Sequence, residues 1–140
     1  MKIFDDKQTE LDLNGPVLSL TTDPTGSQVN NGGTAILIGI GTATFPTTAN
    51  NTGIVTYRWY EQGVGAVSNN DGDDGSTIIT GSATTTLTLE NLVTPTDNQR
   101  KFYLEVDYIP SYYETGNANN EPFNSGIATI TVNPTIDIIA

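Results

Sequence analysis

Ile54-Val55-Thr56-Tyr57-Arg58-Trp59-Tyr60-Glu61 is the stretch whose reading decides the fold. Val55, Tyr57 and Trp59 alternate with Thr56, Arg58 and Tyr60, and a period of two puts the two sets on opposite faces of one strand. β-branched and aromatic side chains fill most of it, as a half-buried pleated surface requires. The same period recurs downstream. Thr84 to Leu89 sets Leu87 and Leu89 inward. Phe102 to Tyr108 sets Phe102, Leu104 and Val106 inward against Tyr103, Glu105 and Asp107. Gly126 to Val132 sets Ala128, Ile130 and Val132 inward. Upstream, Val17 to Leu20 is a short strand, Asn30-Asn31-Gly32-Gly33 a turn, and Thr34 to Thr44 a strand softened by glycines. On that strand Ile36, Ile38 and Ile40 share one face, and Ala35, Leu37 and the glycines share the other. The bulkier face is expected inside. The expected core is then Val17, Ile36, Ile38, Val55, Trp59, Leu87, Leu89, Leu104, Val106 and Ile130. With a further short strand over Ser76 to Ile79, about seven strands are predicted. No segment of ten or more residues has helical periodicity, so the reading is an all-β sandwich of two antiparallel sheets.

Composition removes most chemistries. The 140 residues contain no cysteine and no histidine, so thiolate and imidazole catalysis, disulfides and the commonest metal ligands are missing. Five basic residues against sixteen acidic ones give a net charge of −11, which argues against a phosphate-backbone partner such as nucleic acid. Asp5 and Asp6 interrupt the apolar stretch that a secretory signal needs, and no apolar run approaches a membrane span, so neither ordinary export nor membrane insertion is expected. Threonine (23) and asparagine (14) supply about a quarter of the chain, which suits strands and turns respectively.

Several of these strands together resemble a known family. Tyr57-Arg58-Trp59-Tyr60 resembles the third strand of an immunoglobulin-like domain, with Trp59 as its core tryptophan. Thr84 to Leu92 resembles the fifth strand and its turn, Asp97 to Val106 the corner and sixth strand, and Gly126 to Val132 the closing strand. The pattern is similar to the cysteine-free immunoglobulin-like domains of bacterial surface proteins and tailed-phage virion proteins. The resemblance implies an immunoglobulin-like β-sandwich over residues 16–133, with a docking arm over 1–15 and a tail or linker over 134–140. It implies that Leu104 and Ile38 occupy the positions of the missing cysteines around Trp59. Phe102 stands where the family has its corner tyrosine, so that hydroxyl's bond is lost.

Candidate sites are few. The loop Asn69 to Gly75 carries Asp71, Asp73 and Asp74, and such acids on a glycine-rich loop can ligate calcium. Against that, Gly75 falls one place late for the helix–loop–helix calcium pattern and Thr80 stands where its closing glutamate belongs. The acids are read as residues of a solvated turn, calcium being the alternative. Glu61, Glu105 and Asp107 on strands offer carboxylate pairs of the glycosidase kind, but sixteen acids on a surface include close pairs by chance. Lys101 is the one lysine near a strand that could form an intramolecular crosslink. No enzyme activity, cofactor or metal is expected. Interaction residues are expected in three places. The arm has Ile3, Phe4, Leu11 and Leu13; the loop 109–124 has Tyr112, Tyr113 and Phe123; the tail has Ile136, Ile138 and Ile139. The arm and tail residues have no place left in a seven-strand core, and the sheet faces are expected to be acidic and mutually repelling. The expectation is a non-enzymatic structural component of a tailed-phage virion, such as a fibre, whisker, tail or capsid-decoration protein. It would assemble through its termini with other virion proteins or copies of itself. The alternative is an adhesion module at a bacterial cell surface or on a virion, binding host protein or glycan through the end loops 45–53 and 109–124.

Overall fold

A computed structural model describes residues 17–44, 53–73, 75–110 and 122–135. Among them the elements are strands: β1 (Val17–Thr22), β2 (Ser27–Asn30), β3 (Gly33–Ile38), β4 (Ile40–Thr44), β5 (Gly53–Glu61), β6 (Gly65–Ala66), β7 (Ile78–Thr80), β8 (Thr86–Leu92), β9 (Lys101–Pro110), β10 (Phe123–Asn124) and β11 (Ala128–Asn133). They form two layers. The larger has the order β2-β11-β9-β5-β6, with β10 also against β9. The smaller has the order β3-β8-β7, and β4, which continues β3 beyond Gly39, pairs with β1. Among the described residues no helix is long and apolar enough to cross a membrane.

β5 and β9 form the spine of the larger layer, paired in register from Gly53↔Pro110 to Glu61↔Phe102. One pairing departs from the all-antiparallel expectation: β2 lies parallel to β11, from Ile130↔Ser27 to Asn133↔Asn30. The cause is a change of layer. β1 pairs with β4 in the small layer, and after Asp23–Gly26 the chain continues as β2 in the large one. Gly26 permits the crossing, since a Cβ there would lie 2.7 Å from the Thr129 carbonyl oxygen.

The core is built around Trp59, Phe102, Leu104, Val106, Leu87, Leu89 and Ile130, all of them fully buried, with Val55 packed partly against it. The β3–β4 strand faces the other way from expectation. Ala35 and Leu37 are buried, while Ile36, Ile38 and Ile40 are 56%, 45% and 40% exposed; Val17 is exposed as well. Leu37, not Ile38, is therefore the residue that this strand contributes beside Trp59. The reason is space. β9 presents large side chains to the interior, so the strand across from it must present small ones. A Cβ on Gly39 would come 2.6 Å from Leu104 Cδ2, and one on Gly41 would come 2.5 Å from Val106 Cγ1. Gly41 also lets the Tyr57 hydroxyl reach across the layers, where it accepts from Gly41 N and donates to Gly41 O, both at 3.3 Å. The alternation was legible, but its direction was set by the partner strand.

Three substitutions check this packing by urea unfolding followed by circular dichroism. Trp59→Ala removes about 3–5 kcal/mol, as for other core aromatics. Gly41→Ala costs roughly 1–3 kcal/mol by overpacking against Val106. Ile38→Thr, on the solvent face, costs less than about 1 kcal/mol. A larger loss for Ile38→Thr than for Gly41→Ala would reverse the assignment of faces.

Candidate functional site

The most elaborate polar arrangement lies at the corner between β8 and β9. Asp97 is 3% exposed, and its carboxylate is fully engaged. Oδ1 accepts from Thr77 Oγ1 at 3.0 Å and from Arg100 Nη1 at 2.8 Å; Oδ2 accepts from Val93 N at 2.9 Å. Arg100 reaches on to Glu61 at the end of β5 with two bonds of 2.8 Å, from Nε and Nη2. Its guanidinium also lies 5.2 Å from the centroid of the Phe102 ring. The bonds to Glu61, ahead of those to Asp97, raise the Arg100 pKa above its already high value against the opposing cost of burial. A raised cation contributes stability that is complete below its unfolded pKa and is lost only in strong alkali, so titration of Arg100 adds no step near neutral pH. The corner thus lacks a tyrosine hydroxyl but holds itself by a buried carboxylate. This cluster was missed in the sequence. The signal available was Asp97 three residues before Arg100, two of the few charges that flank a strand start.

A hollow of about 370 Å³ opens beside this corner, lined by Asn70, Thr77, Asn91, Thr96, Asp97 and Arg100 among others. Its charged groups already satisfy one another, so they hold the corner rather than await a reactant. Among the described residues no three His, Cys, Asp or Glu side chains are grouped to hold a metal ion. Asp71 and Asp73 are exposed, and Asp71 Oδ1 accepts from Asp73 N at 3.0 Å, closing a tight turn on itself. Asn70 does likewise with Gly72 N and also donates to Ser76 Oγ and the Thr77 carbonyl. Asp74 lies outside the described residues. Of the strand carboxylates, Glu61 is tied to Arg100. Glu105 and Asp107 are half-buried on the outer face of β9, cross-strand from Arg58 and Thr56. Lys101 Nζ is at the surface, donating to the Gln99 carbonyl at 3.4 Å.

Of the expected interaction residues, Phe123 is described: it lies in β10 opposite Val106 and is 40% exposed. Ile3, Phe4, Leu11, Leu13, Tyr112, Tyr113, Ile136, Ile138 and Ile139 lie outside the described residues. At the start of β5, the cross-strand pair Ile54 and Ile109 is 66% and 56% exposed. Ile109 and Pro110 belong to β9 and Phe123 and Asn124 to β10, four positions that the sequence reading placed in the loop 109–124.

The two outer faces differ in charge. The large layer carries Arg58, Lys101, Glu105 and Asp107 outward, with the Tyr60 and Tyr103 rings stacked at 5.4 Å and 8°. Across β1, β3, β4, β7 and β8, by contrast, Glu90 is the single charged residue. The expectation that both faces are acidic therefore fails for the small layer, whose outward positions, Glu90 and Asn91 apart, are threonine, serine, isoleucine and valine.

No protein-family model and no curated protein matches this sequence. Solved structures match in fold. Domain D1 of Duf (Kirre) superposes with a TM-score of 0.54 at 13% identity, over 86% of this chain and 100% of that one. Chimeric titin Z1Z2 gives 0.53 at 17% identity, over 86% and 99%. The N-terminal Ig1-2 module of the Drosophila receptor protein tyrosine phosphatase DLAR gives 0.52 at 14% identity, over 88% of this chain and 52% of that one, so this chain spans about half of that module. Identities this low speak for the fold alone. The chain is an immunoglobulin-like β-sandwich.

Two measurements test the corner and the loop. Asp97→Ala leaves the Val93 amide and the Thr77 hydroxyl without their acceptor while Arg100 keeps Glu61; it destabilises by about 1–3 kcal/mol, and Asp97→Asn by less because an acceptor remains. EDTA leaves the melting temperature unchanged; a fall restored by calcium would instead make the aspartates ligands.

Proposed function

We propose that the chain is a non-enzymatic structural module of a tailed-phage virion, assembling through its terminal segments. The observation that carries this reading is where on the sandwich the first described strand begins and the last one ends. β3 and β4 run its length from Gly33 to Thr44. β1 begins at Val17, paired with Thr44, and β11 ends at Asn133, paired with Asn30 next to Gly33, so the first and last described strands point to opposite ends of the sandwich. Among the described residues the buried hydrophobics run from Leu18 to Val132, most of them in one core cluster; on this reading Ile3, Phe4, Leu11, Leu13, Ile136, Ile138 and Ile139 are left for a partner. An apolar side chain of that size gains roughly 1.5–3 kcal/mol when fully buried, which a neighbouring subunit supplies. The absence of thiols and imidazoles and the Thr/Asn-rich composition support a scaffold over a catalyst. Other virion proteins or copies of the chain are the partners of this reading, and the virion is its location.

The exposed Ile54–Ile109 pair supports the second reading, an adhesion module that meets a host protein or glycan at that end of the sandwich. Deletion of Met1 to Asn14 and, separately, of Thr135 to Ala140 tests the first. Both variants are expected to melt as the full chain does, and at least one to fail to enter the particle or oligomer. Two truncations that assemble normally, or one that simply unfolds, contradict it.

A further inference from the structure

We propose that the outer face of the small layer is a self-association surface, on which a second copy of this chain packs face to face. This goes beyond the terminal docking above, because it uses none of the arm or tail. Three observations carry it.

The first is an apolar stripe. Ile36, Ile38 and Ile40 follow one another along the outside of β3–β4 at 56%, 45% and 40% exposure. Three isoleucines spaced along one strand are not the scattered single exposures usual on a protein surface. Thr88 and Thr86 of β8 lie directly across from Ile36 and Ile38, offering methyl groups and hydroxyls at the same level.

The second is charge, and it selects the occupant. Two copies of a chain at −11 repel wherever carboxylates meet. Among the described residues on the strands of this face Glu90 is the one charged side chain, and it lies opposite Ile78 of β7. Asp71 and Asp73 lie farther out, on the turn beside β7. A two-fold axis near Ile38 keeps all three away from their counterparts. A basic partner would find no anion to pair with at the centre of the face, and an acidic one no cation. An uncharged, self-complementary surface is what an isologous contact needs.

The third is area. With strands about 4.8 Å apart and a rise of roughly 3.3 Å per residue, the five strands give a planar footprint on the order of 400 Å². Side-chain relief raises the accessible area toward, but not beyond, the ~800 Å² that each partner buries in a standard interface. The contact is therefore weak and depends on concentration, suited to stacking copies that something else holds close.

The test uses the full chain in sedimentation equilibrium from roughly 10 μM to 1 mM, at low salt and at about 0.5 M salt. Mass rises with concentration and rises further with salt, because screening relieves the repulsion between copies and weakens no attraction at the contact. Ile38→Glu, which sets two carboxylates face to face across the axis, weakens association at least about tenfold. Thr131→Glu, on the outer face of the large layer, leaves it within about twofold. Circular dichroism and the emission of buried Trp59 confirm that both variants are folded. A chain that stays monomeric near 1 mM in high salt, an Ile38→Glu variant that associates like the parent, or association dissolved by salt overturns the proposal. None of these outcomes bears on the terminal reading, which the deletion variants decide.

Discussion

The structure depends on how one tryptophan is enclosed without a covalent bridge between the layers. Trp59 is fully buried, and its indole Nε1 donates to the Thr84 carbonyl at 2.8 Å just before β8 begins. Its backbone amide donates to the Ser82 carbonyl and its carbonyl accepts from Val67 N. A strand of the large layer is thereby tied to the approach to the small one by hydrogen bonds as well as by packing. The rest of the interior follows from the volume of that ring and of the β9 residues beside it. Leucines on β8 meet it, and β4 retreats to glycine. A domain of this kind has a stability of only about 5–15 kcal/mol, so a core that closes by shape has little room for error.

That dependence explains what was legible in the sequence. β5, β8, β9 and β11 were found because each alternates cleanly between a buried and a solvated face. The identity of the core aromatic, the leucines of β8 and the inward face of β9 followed directly. β3–β4 alternates between two sets that are both apolar, isoleucine on one side and alanine, leucine and glycine on the other. Hydropathy then points to the larger set, whereas the structure buries the smaller one because β9 has already filled the space. β2 and β6 were invisible for another reason. Four residues of mixed polarity, and a two-residue strand containing a glycine, have no period to detect.

The corner cluster shows a second limit of sequence reading. Asp97, Arg100 and Glu61 come from two places 36 to 39 positions apart, and nothing local announces that a carboxylate will be buried. It is tolerated because both of its oxygens accept hydrogen bonds, from Thr77, Arg100 and the Val93 amide. The same corner supports the hollow beside it, which is why that hollow reads as architecture. The acid loop is similar in kind: its carboxylate and amide oxygens cap their own turns.

Function in such a domain lies in what the surface leaves unfinished. The charges gather on the large layer and in the loops, the strands of the small layer are nearly free of them, and β1 begins and β11 ends at opposite ends of the sandwich. All of this rests on Trp59 being locked between the layers, and hydrogen exchange of its indole Nε1 proton measures that lock most directly. The account predicts exchange only through global unfolding, with an opening free energy equal to the one obtained from urea. Exchange at a clearly lower free energy, while the β5 and β9 amides stay protected, would show that the ring escapes without unfolding and would contradict it.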